Sequence, residues 1–88
     1  MRIVKISAMW CPACIIMNKY WKDIENEFSD IEFVNYDLDI DEEEIKQYNV
    51  GNILPVLVVS NNGIELGRLI GEKKYDEVVE FIGRMRDL

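Results

Sequence analysis

The sequence predicts an α/β domain: a four-stranded mixed sheet flanked by helices, in the order strand–helix–strand, helix, strand–strand–helix. Three observations predict it. Short β-branched segments near residues 2–7, 31–38, 55–60 and 64–70 read as strands. Stretches with apolar residues three and four apart read as helices, one between the first two strands and one after the last. Asn61-Asn62-Gly63 between the final two strands is a hairpin signal, which makes that pair antiparallel. The first strand–helix–strand unit takes a right-handed parallel crossover instead. At 88 residues the chain suffices for one domain, residues 1–88, and is too short for two.

The elements follow in order. Arg2 to Ser7 is a short β-branched strand, and the loop Ala8-Met9-Trp10 comes after it. Pro12 suits a first helical position, where its missing N–H would be unpaired anyway. Cys14, Met17, Trp21, Ile24 and Phe28 then form one face of a helix from about Pro12 to Phe28, with Asn18, Lys22, Glu25 and Asn26 on the wet side. Ile31 to Leu38 is a strand carrying Val34, Tyr36 and Leu38 on one face. Asp41 is the expected N-cap of a second helix, with Glu44 completing a capping box and Ile40 and Ile45 forming a hydrophobic staple. The acids at 42–44 suit the positive helix end, so this run reads as helix punctuation rather than a binding patch. Pro55 to Ser60 is apolar enough for a buried central strand, and Ile64 to Ile70 returns beside it, with Gly67 marking a bulge. After Gly71, residues Tyr75, Val78, Ile82 and Met85 fit a last helical face.

Composition excludes several functions. The net charge is −7, from 17 acids against 10 bases, which argues against nucleic acid and against an anionic membrane surface. The charge serves solubility. No apolar run approaches the ~20 residues of a membrane span, and no secretory leader pattern precedes the first strand, so a cytoplasmic monomer is expected. The chain has no His, which removes the usual neutral-pH base and most metal-site designs.

The cysteine complement is one Cys-x-x-Cys, Cys11 and Cys14. A sulfur at a helix start faces unpaired backbone N–H groups and the positive end of the dipole, both of which favour the reactive thiolate. Cys14, three residues on, falls on the same helical side within reach of Cys11. Cys11 is therefore the expected nucleophile and exposed thiol, and Cys14 the shielded resolving thiol. Pro12 stiffens the loop without adding charge, and Ala13 is small and neutral. The competing readings are weaker. A structural disulfide across so short a spacer constrains little of the unfolded chain. A zinc or iron–sulfur site would need ligands from a second chain. Two inert buried thiols leave Trp-Cys-Pro at a strand-to-helix junction without a packing reason.

Trp10-Cys11-Pro12-Ala13-Cys14 after a strand resembles the active site of the thioredoxin superfamily. Ile53-Leu54-Pro55-Val56 resembles that superfamily's cis-proline loop, and Asn62-Gly63 with Leu69-Ile70-Gly71 resembles its last hairpin and the glycine beyond. The likeness covers nearly the whole chain. In length and start the chain is more like a glutaredoxin, but the paired glycines and the basic cluster that would hold glutathione are missing. Pro-Ala stands between the cysteines where thioredoxin has Gly-Pro, and Gly51-Asn52-Ile53 makes the loop before the proline one residue longer. The resemblance implies a minimal thioredoxin fold and a cis Leu54–Pro55 bond beside the cysteines; the alternative is a trans, strand-starting proline. A cis bond would turn the Leu54 backbone outward to pair with an extended substrate. Trp10 would be a partly exposed lip for docking, or else an ordinary core aromatic.

The function this implies is dithiol reduction of protein disulfides, with Cys11 attacking, Cys14 resolving, and Trp10, Pro12, Leu54, Pro55 and Gly71 supporting the substrate. No cofactor and no metal is expected. The partners would be disulfide-containing proteins and a disulfide reductase that recharges the pair. The alternative is a non-catalytic redox sensor or binding module that uses the same disulfide as a switch. Lys5 stands where the family carries a buried acid, six residues before the first cysteine. It is a candidate modulator of the Cys14 thiolate. The plainer expectation is that its stem runs over apolar neighbours and its ammonium pairs with an acid such as Asp37.

Overall fold

Alternation of side chains on β1 divides the interior into two layers. The computed structural model describes residues Met1–Leu88. Its elements are β1 Arg2–Ser7, α1 Pro12–Glu27, β2 Glu32–Asp37, α2 Glu42–Ile45 running into a 3₁₀ turn Lys46–Tyr48, β3 Val56–Asn61, β4 Ile64–Ile70 and α3 Tyr75–Arg86. Strand order is β2-β1-β3-β4. β1 runs parallel to β2, and β3 runs antiparallel to both β1 and β4. This is the mixed four-stranded sheet that the sequence predicts. No helix is long and apolar enough to cross a membrane.

Ile3 packs with Leu57 and Val59 of β3 under α1 and α3, in a core that also takes Met17, Trp21, Ile24, Phe28, Val78, Phe81 and Ile82. Val4 and Ile6 point the other way. They pack with Val56, Val58, Ile45 and Leu54, and this second cluster holds Ala8, Cys11 and Cys14 at its end. Both faces of β1 and β3 are thus covered, which is why these strands read as continuous apolar runs rather than alternating ones. The apolar stripe of α1 is as the spacing predicts. On α3 the stripe also includes Phe81, which the three-and-four spacing from Val78 and Met85 could have supplied.

The β3–β4 hairpin turns on Asn62 and Gly63, whose φ values of 54° and 81° suit a two-residue turn matched to strand twist. The pairing Val59–Gly67 followed by Ser60–Glu65 leaves Leu66 as the extra residue of a bulge. Gly67 sits beside that bulge for a packing reason: a Cβ there would lie 3.0 Å from Met85 Sδ and 3.4 Å from Phe81 Cζ, under α3.

The start of α2 differs from expectation. Asp41 does precede the helix, but its side chain makes no capping bond. Its Oδ2 instead accepts the Asp37 N–H at 2.8 Å, and Asp37 Oδ1 accepts the Asp39 N–H at 2.9 Å. The carboxylates tie down the chain as it leaves β2, where backbone donors lack strand partners. Ile40 stays 75% exposed, so it closes no hydrophobic staple. A helix of one turn offers little for either device to stabilise.

Candidate active site

The loop after β1 delivers Cys11 to the N-cap of α1. Its N–H donates to Ala8 O at 3.2 Å, and its backbone is extended (φ −89°, ψ 112°) before Pro12 begins the helix. The Cys14 N–H then donates to Cys11 Sγ at 3.2 Å. The sulfur thus takes the place of the capping oxygen that Ser or Asp would supply, at the positive end of the helix. Both cysteines are free thiols. Burial pushes the Cys14 thiol up to about 11, helped by its hydrogen bond with the Cys11 side chain; a backbone hydrogen bond from Ala8 and the charge of Lys5 act in the other direction.

One expectation is corrected. Cys11 is 5% exposed and Cys14 2%, so Cys11 is not an open thiol. The N-cap turn folds it back towards Ala8, and both sulfurs belong to the apolar cluster that includes Leu54. The two thiols differ through hydrogen bonding and position more than through exposure.

Around them lie the other residues that the sequence singles out. The Leu54–Pro55 bond is cis. Leu54 is buried in the cysteines' cluster, and Pro55 is fully buried. Pro55 O accepts the Gly71 N–H at 2.9 Å, which joins the proline loop to the end of β4. Gly71 has φ +90°, and a Cβ there would meet Ile53 Cγ2 at 3.3 Å, so side chains are disfavoured twice over. Trp10 is 61% exposed and is not a core aromatic. Its indole N–H donates to Asp39 Oδ2 at 2.8 Å, which ties the exposed ring to the exit of β2. Met9, Ile53 and Ile70 are exposed as well. Asp39 was not legible in this role, because only the fold brings the β2 exit to the β1 loop.

Lys5 lies apart from the expected partner. It is buried, and its ammonium donates to Asn18 Oδ1 at 2.7 Å rather than pairing with Asp37. On β1 it shares the face of Ile3, towards α1, whereas Asp37 is occupied at the far end of β2.

A family model described as Thioredoxin matches residues 1–84. The chain belongs to the thioredoxin family. Among curated relatives it is 32% identical to Thioredoxin H2 of Arabidopsis thaliana over 96% of this chain and 62% of that protein. It is 31% identical to Thioredoxin H2-1 of Oryza sativa over 96% of this chain and 59% of that one. It thus spans about three-fifths of those plant proteins. A Mycoplasma genitalium thioredoxin is 32% identical over 89% of this chain and 76% of its own length. Among solved structures, the Nicotiana alata thioredoxin NaTrxh superposes with a TM-score of 0.87 at 26% identity, covering 96% of this chain and 71% of that one.

In this thioredoxin-family chain the state of Cys14 should set an alkaline limit on stability. The folded chain holds the Cys14 proton more tightly than the unfolded chain, up to about 11 against an ordinary 9.0. Between those values the folded state binds the extra proton. Its contribution is fully present below pH 9 and is lost as pH rises through about 11, a loss of about 2–3 kcal/mol. Lys5, whose burial lowers its own value, acts in the opposite sense over the alkaline range. Urea unfolding of the reduced protein between pH 8 and 11 should show the decline, and Cys14→Ala should make it shallower, leaving the part due to Tyr20, whose burial also holds its proton more tightly in the folded chain. Equal pH slopes for the two proteins would contradict the assignment.

Proposed function

We propose that this chain is a thiol–disulfide oxidoreductase that reduces protein disulfides through Cys11 and Cys14. The observation that carries the reading is the placement of Cys11 Sγ at the N-cap of α1, in hydrogen-bond contact with a second thiol one turn on. A thiolate at that position attacks one sulfur of a substrate disulfide. A mixed disulfide forms on Cys11, and the other substrate sulfur leaves as a thiolate that takes up a proton. Cys14 then loses its proton and attacks Cys11 Sγ. The Cys11–Cys14 bond forms, the mixed disulfide breaks, and the second substrate sulfur leaves and is protonated. The substrate gains two electrons and the chain loses them. A disulfide reductase partner returns them, so the cycle needs no cofactor on this chain.

Two features support a peptide substrate. Neither Leu54 backbone group makes a backbone hydrogen bond, because β3 begins only at Val56. An extended segment passing Cys11 can therefore pair with Leu54 as an added strand. Trp10, Ile53 and Ile70, the chain neighbours of Cys11, Leu54 and Gly71, are exposed apolar side chains.

The test is turnover. Catalytic amounts of the chain should accelerate insulin reduction by dithiothreitol well above the rate of dithiothreitol alone. Reaction that stops after one equivalent per chain would mark a redox switch and overturn the catalytic reading.

A further inference from the structure

The chain's negative charge is concentrated on the segment that ties Trp10 down. Residues 37–46 hold six acids, Asp37, Asp39, Asp41, Glu42, Glu43 and Glu44, against the single base Lys46, so this stretch carries five of the seven net negative charges. Local structure uses only part of them. Asp37 and Asp41 accept backbone N–H groups at the exit of β2, and Glu43 pairs with Lys46 at 3.1 Å. The carboxylates of Asp39 and Glu42 are in no ion pair. A helix of one turn has little dipole for the acids at 42–44 to complement.

Asp39 and Glu42 line a cleft of about 510 Å³ between the exit of β2 and α2, together with Lys46. All three are exposed and form its rim. Its apolar floor is Leu38, Ile45 and Val50, of which Ile45 is buried and the other two half-buried. Ile45 belongs to the cluster of Cys11, Cys14 and Leu54, and Leu38 and Val50 pack against that cluster. On the rim, Asp39 Oδ2 accepts the indole N–H of Trp10, the residue before Cys11. Floor and rim thus both join the cleft to the cysteines. The lining selects an occupant. An apolar floor with carboxylates at the mouth fits a side chain with an aliphatic stem and a cationic head, the two parts that Lys and Arg keep in different surroundings. Lys46 does not supply that head, because its ammonium turns to Glu43. A second copy of this chain would set the same acids against one another.

We propose that the cleft between β2 and α2 receives a lysine or arginine side chain of the disulfide-bearing substrate, its stem against Leu38, Ile45 and Val50 and its cation at Asp39 and Glu42. The inference rests on the exchange reading and names the substrate class: protein disulfides flanked by a basic residue. The cleft exchanges no atom. The acidic surface draws a cationic segment in, and docking next to Trp10 holds the neighbouring disulfide near Cys11.

The test compares two peptides with the same disulfide-closed loop, flanked on each side by Arg in one and by citrulline in the other. Citrulline keeps the shape of the side chain and removes the charge. With dithiothreitol as reductant at low ionic strength, kcat/KM should favour the Arg peptide by about threefold or more. Glu42→Gln should at least halve that preference. Glu80→Gln removes the same charge from α3, which packs in the other layer of the fold, and should leave the preference intact. A second arm reads docking without exchange, using the same peptides with serine in place of cysteine. The backbone amide resonances of Ile45 and Val50 should shift with the Arg peptide and much less with the citrulline peptide. This arm decides the matter if turnover itself fails, and turnover can succeed while it fails. Equal kcat/KM for the two peptides, equal effects of Glu42→Gln and Glu80→Gln, or no shift at the cleft would overturn the proposal. So would the same shifts on raising the protein concentration alone, which would assign the cleft to a second copy, or on adding calcium alone, which would assign it to a metal cation.

Discussion

Cys11→Ser should abolish catalysed disulfide reduction and leave only the rate of dithiothreitol itself. The loss should be complete because the remaining thiol cannot stand in. Burial, the largest cause that holds Cys14 above the usual thiol range, remains when Cys11 is replaced, and it keeps Cys14 protonated and a poor nucleophile at neutral pH. A serine hydroxyl at the N-cap still accepts the helix N–H groups, so the variant should keep the wild-type fold and stability to within about 1 kcal/mol. Activity and stability should therefore separate cleanly. Insulin reduction reads the first, and urea unfolding of the reduced protein reads the second. Retained turnover in a folded Cys11→Ser variant would move the nucleophile elsewhere.

Cys14→Ser should fail differently. Cys11 remains at the helix start and can still attack, but nothing inside the chain releases the mixed disulfide. One substrate sulfur should accumulate on Cys11 per molecule, visible as a covalent adduct in non-reducing mass spectrometry. Steady-state turnover should fall to the rate at which external thiol clears the adduct. In the wild type the same adduct should be scarce, because Cys14 lies one helical turn away and already hydrogen-bonds the Cys11 side chain. The pair of outcomes distinguishes attack from resolution. A Cys14→Ser chain that turns over like the wild type, or forms no adduct, would remove Cys14 from the second step.

The parts of this molecule that were legible in sequence are those decided locally. Met17, Trp21 and Ile24 declare the buried face of α1 by spacing alone, and Asn62-Gly63 declares its turn because few other residues adopt positive φ there. The cysteine spacing and the strand before it pick out the candidate site, and the fold sets Cys11 at the start of α1. Elements decided by the third dimension were not legible. Asp41 has the right identity for a cap, yet the exit of β2 competes for its carboxylate. The acceptor of the Lys5 ammonium depends on how α1 is rotated over β1, and no sequence pattern states that Asn18 rather than Asp37 arrives there. Cys11 is placed correctly along the chain, but its burial follows from the cluster it shares with Ala8 and Leu54, residues on two separate loops.

Cys11 and Cys14 should behave as one two-electron pair, and an equilibrium titration measures this most directly. The wild-type chain is equilibrated across buffers of reduced and oxidised glutathione, quenched with acid and alkylated, and its free thiols are counted. The expected result is a single transition in which a tenfold change in the oxidised-to-reduced ratio spans about 30 mV. The oxidised end should be a chain lighter by a pair of hydrogens, with a Cys11–Cys14 disulfide and no glutathione attached. Two separate one-thiol steps, each adding glutathione and never closing the intramolecular bond, would contradict it.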